Sequence, residues 1–279
     1  MVIIRLWGGI GNQLFQYAFG EYLREKYQIT VQYDIDSFGN SDLLRKFELS
    51  ILDSNIPINF STHFSKFLGI KNRIMRFFYT LRNNFIEEDE FSEKCLFKYL
   101  KSGDVYLQGY WQNAVYANVL IKKKKYIPKG GYPKELAVLF DKIEKSQNTV
   151  ALHIRRGDYF LPKNINVFGV CDANYYREAI NFISGKEDSI SIFVFSDDLD
   201  WVKENVELPV NTIFIPNYNI SQYWYIYMMS LCKHNIISNS SFSWWGAFLN
   251  MNVNKIVISP SKWTLNSDKT IALDEWIKI

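Results

Sequence analysis

The chain has 279 residues, of which 48% are hydrophobic and 22% are charged, a composition typical of a folded globular protein. Lysine and arginine total 32 against 29 aspartate and glutamate residues, so a net charge of +3 is too small to indicate a polyanionic partner by bulk charge. The three cysteines lie far apart, without the spacing of a disulfide framework or a zinc site, which favours a reducing, cytoplasmic compartment. The N-terminus lacks a signal-peptide pattern, and no run of about 18 apolar residues is present to span a membrane.

The first elements of the chain predict a parallel sheet covered by helices. Residues 2–6 form a compact apolar strand, a glycine-rich turn follows, and apolar residues recur at helical spacing over residues 14–23. Residues 29–33 give the next strand, which completes a βαβ unit. Residues 60–100 predict mainly helix, and residues 105–110 predict a further strand.

A run of lysines at residues 122–125, followed by a cluster of glycine and proline, predicts a boundary between two domains, residues 1–130 and 145–279. The lysines themselves are interpreted as a solvated loop. Beyond the boundary, the predicted strands are residues 150–154, 191–195, 212–215, 235–237 and 255–258. The predicted helices are residues 174–183, 223–232 and 244–250. The chain therefore predicts two α/β domains.

Two short motifs in the first domain fit several kinds of chemistry. Gly9 and Gly11 stand between a strand and a helix, where the backbone can approach a phosphate. Asp34 follows near the spacing of a dinucleotide-binding fingerprint, but Leu14 replaces the third glycine, so a loop that faces substrate is favoured over a structural turn and over a nicotinamide site. Asp34 and Asp36 also match a D-x-D metal-binding pattern, although an ordinary acidic strand end is favoured.

The most informative segment of the sequence is residues 153–158, His-Ile-Arg-Arg-Gly-Asp. Arg155 and Arg156 follow a buried strand at its carboxyl end, where open α/β sheets bind ligands. Guanidinium groups bind phosphates through paired hydrogen bonds, which suits a diphosphate ligand. Gly157 permits close approach, and Asp158 is placed to orient an arginine or accept a proton. An exposed Arg–Asp loop pair is the alternative, whereas a cell-adhesion role for the Arg-Gly-Asp tripeptide is disfavoured by the buried strand before it.

Two polar clusters follow later strands. Ser196, Asp197 and Asp198 end one strand, where a carboxylate accepts hydrogen bonds from a purine edge or a ribose, although a helix cap is an equally simple role. The other cluster precedes a helix and consists of Asn239, Ser240, Ser241, Phe242 and Ser243. Its hydroxyls and free backbone N–H groups are predicted to form a neutral anion cradle.

Five segments together resemble the α-1,2-fucosyltransferases of glycosyltransferase family 11. They lie in the family's order between residue 8 and about residue 250, and they are GGIGNQLFQYAFG, YLQGYWQ, HIRRGDY, FSDD and MSLCKHNIISNSSFSWWGAFLN. The resemblance implies an α/β fold of two facing Rossmann-like domains, the GT-B type, with mostly parallel sheets and the donor nucleotide in the C-terminal domain. It further implies inverting transfer of L-fucose from GDP-fucose to the 2-hydroxyl of a terminal galactose, without a metal or other cofactor.

The resemblance also implies roles for individual residues. Arg155 is expected to grip the β-phosphate of the donor, with His153 and Asp158 as further catalytic candidates. The expected donor-binding residues are Arg156, Ser196, Asp197, Asp198, Asn239, Ser240, Ser241, Phe242 and Ser243. The residues expected to contact the acceptor are Gly9, Gly11, Asn12, Gln13, Tyr110, Trp111 and Gln112. The chain departs from the family at Tyr225, where an aspartate is usual, which puts nucleotide affinity or selectivity in question.

The expected substrates are GDP-fucose and a galactose-terminated oligosaccharide, in the assembly of a bacterial surface polysaccharide such as O-antigen. The expected location is the cytoplasm, with the basic-aromatic residues 71–82 contacting the inner face of the membrane or forming a buried helix face. Nucleic acid is not expected as a partner, since the basic residues form no continuous stripe. The alternatives are a metal-dependent glycosyltransferase that uses Asp34 and Asp36, and a non-catalytic nucleotide- or glycan-binding protein.

Overall fold

A computed structural model of the chain describes residues 1–40, 45–59, 84–267 and 269–279. The chain divides into two compact units, Met1–Ile127 and Pro128–Ile279. Each unit contains a β-sheet in which every pairing between the described strands is parallel, with helices in the connections. The predicted α/β class, with Rossmann-like units and mostly parallel sheets, is confirmed.

The sheet of the first unit is ordered β3-β2-β1-β5-β4 among its described strands. These strands are β1 Val2–Arg5, β2 Val31–Asp34, β3 Ile58–Asn59, β4 Phe85–Glu87 and β5 Val105–Gln108. The helices are α1 Ile10–Tyr27, α2 Ser37–Asn40, α3 Glu93–Leu100 and α4 Ala114–Lys122, with 3₁₀ turns at Leu49–Ile51 and Glu88–Glu90. Because β2 and β3 extend the sheet to one side of β1 while β5 and β4 extend it to the other, the topological switch point lies between β1 and β5.

The sheet of the second unit is ordered β11-β10-β9-β6-β7-β8 among its described strands. These strands are β6 Thr149–Ile154, β7 Ser191–Ser196, β8 Thr212–Phe214, β9 His234–Ile236, β10 Val257–Ser259 and β11 Ile277–Lys278. The helices are α5 Ala137–Lys145, α6 Pro162–Phe168, α7 Ala173–Ser184, α8 Leu199–Asn205, α9 Tyr223–Leu231 and α10 Ser241–Phe248, with a 3₁₀ turn at Gly157–Phe160. All six residues of β6 are buried, as expected of a parallel strand covered on both faces. Here the switch point lies between β6 and β9.

The region between residues 60 and 100 differs from its prediction. The sequence predicts mainly helix there, but Phe85–Glu87 forms strand β4, which pairs with β5. The two apolar residues of this strand, Phe85 and Ile86, have polar residues on both sides, so no apolar run marks the strand in the sequence. Residues 60–83, and with them most of the basic-aromatic stretch 71–82, lie outside the described residues. Among the helices that the structure describes, none is long and apolar enough to cross a membrane.

The lysine run at residues 122–125 is not simply a solvated loop. Lys125 lies 2.6 Å and Lys123 3.8 Å from the carboxylate of Glu21, a side chain that is only 2% exposed. Arg24, on the same helix as Glu21, also forms an ion pair with it. The run therefore anchors the end of α4 to the buried face of α1. These ion pairs matter because burying the glutamate charge without a partner would be costly.

Candidate active site

The Arg155 side chain is held at the carboxyl end of β6 by two carboxylates. Its Nη2 lies 2.6 Å from Oδ1 of Asp158, and its Nη1 lies 3.0 Å from Oδ2 of Asp197, which follows β7. Asp197 also accepts the backbone N–H of Arg156 at 2.9 Å. A Cβ atom at Gly157 would lie 2.7 Å from Oδ2 of Asp197, so the absence of a side chain permits this approach. The guanidinium plane is thus fixed while the side chain remains 22% exposed.

Arg156 has different surroundings from Arg155. Its guanidinium carbon lies 3.7 Å from the ring centroid of Trp201 and 4.7 Å from that of Phe160, and its Nε lies 3.3 Å from Asp198. Stacking of a guanidinium on aromatic faces is favourable in its own right. Asp198 in turn caps α8 by accepting the backbone N–H of Trp201. Arg156 therefore fastens the loop to α8 through these contacts, and its donor-binding role stays a prediction.

Ser196 belongs to the turn that leads into α8. Its hydroxyl accepts the backbone N–H of Asp198 at 3.0 Å. This bond closes the turn before the helix, whereas the helix-cap role that the sequence left open falls to Asp198.

The side chain of His153 makes a contact across the switch point of the second unit, from β6 to the end of β9. Its Nδ1 lies 2.8 Å from the hydroxyl of Ser238, which follows β9, and its ring packs beside that of Phe242. Burial, together with the nearby charge of Arg155, lowers the pKa of His153 to about 3. A histidine that remains neutral in this way is a weak proton acceptor, so the geometry favours a positioning role for His153 over that of a general base.

The polar cluster at residues 239–243 is largely occupied with its own turn. The hydroxyl of Ser240 caps α10 by accepting the backbone N–H of Phe242, and that of Ser243 donates to backbone carbonyls of the same turn. The amide of Asn239 donates to the carbonyls of Phe168 and Trp263. Asn239, Ser240 and Ser243 are buried, and their role in donor binding stays a prediction. Ser241 and Phe242 are the half-buried members at the helix N-terminus.

Tyr225, at the position where the resemblance leads us to expect aspartate, closes the loop after β8. Its hydroxyl accepts the backbone N–H of Tyr218 at 2.7 Å and donates to the carbonyl of Pro216 at 3.1 Å. The side chain is buried. The phenol therefore stabilises this loop by contacts that the shorter aspartate side chain would not reproduce.

Three side-chain contacts cross the switch point of the first unit. They are the hydrogen bond from Arg5 to Gln108 (3.0 Å), the stacked rings of Trp7 and Tyr110 (centroids 4.4 Å apart, 23° between planes) and the hydrogen bond from Gln112 to Asn12 (3.0 Å). Asn12, Tyr110 and Gln112 are predicted from the sequence, whereas the other three residues are not. Their position directly at the ends of β1 and β5 was the signal that could have identified them.

Other residues predicted to contact the acceptor are buried. Trp111 is 1% exposed and stacks on Phe19, with a positive φ of 56° that turns its ring into the core. Gln13 is fully buried, and its amide donates to the carbonyls of Gly8 and Lys46. Gly11 is also buried, whereas Gly9 is half-buried at the start of α1. The structure therefore places Trp111, Gln13 and Gly11 in the interior of the first unit, and their contact with the acceptor stays a prediction.

The D-x-D motif does not form an open cation site. Asp34 is buried, and its carboxylate accepts the hydroxyl of Tyr106 at 2.6 Å and the backbone N–H of Asp36 at 2.8 Å. Burial raises the pKa of Asp34, which further weakens it as a ligand for a cation. Across the described residues, no group of three or more histidine, cysteine or acidic side chains is placed to hold a metal ion.

Two Rossmann-like units with parallel sheets, one carrying an arginine loop at its switch point, define a GT-B-like glycosyltransferase fold. A model of the family described as Glycosyl transferase family 11 matches residues 1–279. The chain therefore belongs to glycosyltransferase family 11. This confirms the resemblance seen in the sequence.

Two Escherichia coli proteins are similar to the chain over nearly their whole lengths. An O-antigen biosynthesis glycosyltransferase, WbnK, is 32% identical, with 98% of each chain covered. An alpha-1,2-colitosyltransferase is 30% identical, covering 100% of this chain and 99% of the relative. Among solved structures, the fucosyltransferase NodZ from Bradyrhizobium has a TM-score of 0.51 at 11% identity, covering 88% of this chain and 92% of NodZ. The alpha-1,6-fucosyltransferase NodZ co-crystallized with GDP has a TM-score of 0.50 at 11% identity over 88% of this chain and 91% of that one.

Proposed function

We propose that the protein transfers L-fucose from GDP-fucose to the 2-hydroxyl of a terminal galactose, with inversion and without a metal ion, in the assembly of O-antigen. Membership of family 11 and the similarity to an O-antigen biosynthesis glycosyltransferase support this proposal. The observation that carries it is the Arg155 guanidinium, held by Asp158 and Asp197 at the switch point of the second unit.

Arg155 is suited to stabilise the leaving group of this reaction. When the bond between the anomeric carbon of fucose and the β-phosphate oxygen breaks, negative charge develops on the departing GDP. A guanidinium has five N–H donors, and two ion pairs fix its orientation before the donor binds. Preorganised donors aimed at developing charge are the largest single source of catalysis in many enzymes, because they need no reorganisation during the reaction.

Asp158 is the proposed general base that deprotonates the acceptor hydroxyl. It shares the Arg155 loop and its side chain is 30% exposed, whereas His153 is buried and held neutral. A carboxylate suffices for this role if the sugar bond is largely broken before the hydroxyl attacks. In a pH–rate profile, Asp158→Asn is expected to lose the base-dependent rise in rate that the wild type shows.

Asp197→Asn is the matched control for the base, because it also removes an Arg155 partner but leaves Asp158 in place. Its rate is expected to fall at every pH while the profile keeps its shape. An Asp158→Asn profile that rises with pH as the wild type does would exclude Asp158 as the base.

Colitosyl transfer is the second candidate function, favoured by the 30% identity to an alpha-1,2-colitosyltransferase. Colitose is fucose without its 3-hydroxyl group, so both donors place the same leaving group beside Arg155. The deciding assay measures GDP release from GDP-fucose and GDP-colitose, each with and without β-galactoside acceptors. Acceptor-dependent release from GDP-fucose is expected. Faster release from GDP-colitose would identify GDP-colitose as the preferred donor. No release from either donor would indicate a non-catalytic binding protein.

A further inference from the structure

We propose that Tyr159 is a positioning residue for the reaction, which ties the Arg155 loop to the turn at residues 238–242 and thereby sets the place of the Arg155 guanidinium. This inference rests on the proposed function and specifies how the site for the leaving group is built. Tyr159 follows Asp158 in the chain and is not among the residues predicted from the sequence to form the site.

The hydroxyl of Tyr159 links two segments that are distant in the chain. It donates to the backbone carbonyl of Asn239 at 2.8 Å, a bond between residues 80 positions apart. Burial raises the pKa of Tyr159 to about 12, so the phenol keeps its proton and remains a donor at neutral pH. The ring stacks on that of Phe168 at the end of α6, with centroids 5.1 Å apart and 18° between planes. The side chain is therefore fixed both at its ring and at its hydroxyl.

The Arg155 loop contacts the turn on both sides of Arg155. Before the arginine, Nδ1 of His153 lies 2.8 Å from the hydroxyl of Ser238. After the arginine, Tyr159 bonds to Asn239, the next residue of the same turn. The segment that carries the guanidinium is thus held to the turn at both of its ends.

Tyr159 also lies beside the guanidinium itself. The guanidinium carbon of Arg155 is 5.8 Å from the centroid of the Tyr159 ring, within the range of a cation–π contact. Asp158 and Asp197 orient the guanidinium within the loop and towards the end of β7. Tyr159 instead connects it with the turn that leads into α10.

This connection matters because donors stabilise developing charge best when they are in place before the reaction. The turn ends at the start of α10, the positive end of the helix dipole, which favours an anion. Arg155 and this helix end can act on one diphosphate only while their separation is kept. Loss of the Tyr159 hydroxyl would let the two segments move separately, without removing any group that contacts the leaving group.

The test compares Tyr159→Phe, which removes only the hydroxyl, with a matched control, Tyr175→Phe. The hydroxyl of Tyr175 donates to the backbone carbonyl of Ile237 at 2.6 Å, so the control loses a similar bond just after β9, from α7 rather than from the Arg155 loop. Tyr159→Phe is expected to lower kcat for fucosyl transfer about 10-fold, the scale of one hydrogen bond. The KM for GDP-fucose should change less than about twofold, because the charge on the β-phosphate is greatest after the sugar bond has broken. Tyr175→Phe should keep the wild-type kcat.

A double-mutant cycle separates positioning from a general loosening of the fold. In the Arg155→Ala background, Tyr159→Phe should cause no further loss of kcat, since the group that it positions is absent. The same loss of kcat in both backgrounds would overturn the inference. Equal losses in Tyr159→Phe and Tyr175→Phe would overturn it as well.

Two outcomes separate this inference from the proposed function. If the wild type transfers fucose and Tyr159→Phe has the wild-type kcat, the positioning role is wrong and the function stands. If the wild type transfers no sugar, the proposed function fails, and calorimetry with GDP, which carries the charge of the leaving group, tests the positioning role by itself. An affinity for GDP that falls about 10-fold in Tyr159→Phe but not in Tyr175→Phe supports the role. Equal affinity of the wild type and Tyr159→Phe, or no binding by either, overturns it.

Discussion

Adjacent arginines in this chain have different surroundings and therefore different roles. Arg155 lies between two carboxylates at the mouth of the site, whereas Arg156 is stacked between the rings of Trp201 and Phe160. The sequence predicts that both follow a buried strand, which is correct. It does not predict how their surroundings differ, because the partners that decide this are contributed by the end of β7 and by α8 rather than by neighbouring residues.

Replacing Arg155 tests the centre of the proposed mechanism. Arg155→Ala is expected to lower kcat by roughly 100- to 1000-fold, as for the loss of other preorganised donors to developing charge. Circular dichroism should show an unchanged fold. Arg156→Ala is the comparison, and it should chiefly lower the free energy of unfolding, by about 1–2 kcal/mol through lost stacking. A folded Arg155→Ala enzyme with near-normal turnover would contradict the mechanism.

His153 predicts a pH dependence of stability. Its pKa is about 3 in the folded protein against the ordinary value of 6.5, so the unfolded chain binds the proton more tightly. The contribution of neutral His153 to the free energy of unfolding is complete above about pH 6.5. It is lost as the pH falls towards 3, and the free energy then changes by up to about 1.4 kcal/mol per pH unit. Urea unfolding of the wild type and His153→Gln over this window measures the difference. The variant should lose less stability on acidification, and parallel curves would show that His153 does not titrate in this way.

Individual elements were predictable where burial is continuous. Strand β6, with six buried residues in succession, stands out in the sequence, whereas β4 and β11 have only three and two residues and were missed. Helix α10 begins at Ser241 rather than at Trp244, because Ser240 caps it and the serines after the cap already have helical backbone. A polar segment at a helix start resembles a loop when it is judged by polarity alone.

Helices α9 and α10 depend on Gly246 for their close packing. A Cβ atom at Gly246 would lie 2.7 Å from the Cβ of Met229, too near for either helix to keep its place. Gly246→Ala is therefore expected to lower the free energy of unfolding by about 1–3 kcal/mol, even though alanine favours a helix by about 1 kcal/mol over glycine. The control is Gly131→Ala, since a Cβ at Gly131 meets nothing within 4 Å. Equal stability of the two variants in urea would refute the packing argument.

At the scale of the whole molecule, the strand–helix alternation appears twice in the sequence, and this correctly predicts two parallel sheets. The neighbours across each switch point were not predictable in the same way. Arg5 and Gln108 are 103 residues apart, and His153 and Ser238 are 85 apart, so the contacts that build both sites depend on the strand order of each sheet. Local periodicity carries no information about that order.

The whole enzyme is expected to work without a divalent cation. Arginine supplies the positive charge at the proposed donor site, and Asp34 is engaged with Tyr106. Transfer from GDP-fucose in excess EDTA should equal that of the untreated enzyme, and Asp36→Asn should retain wild-type activity. Activity that EDTA abolishes and Mg²⁺ or Mn²⁺ restores would instead support a metal-dependent mechanism.

The contact between Glu21 and Lys125 makes two distant positions of the chain depend on each other in evolution. Loss of the lysine would leave the buried carboxylate with Arg24 and the more distant Lys123 as its cations, whereas loss of the glutamate would remove the partner that holds the end of α4. Related proteins that replace the glutamate should therefore have replaced Lys125 as well, by an apolar pair or by a pair with the charges exchanged.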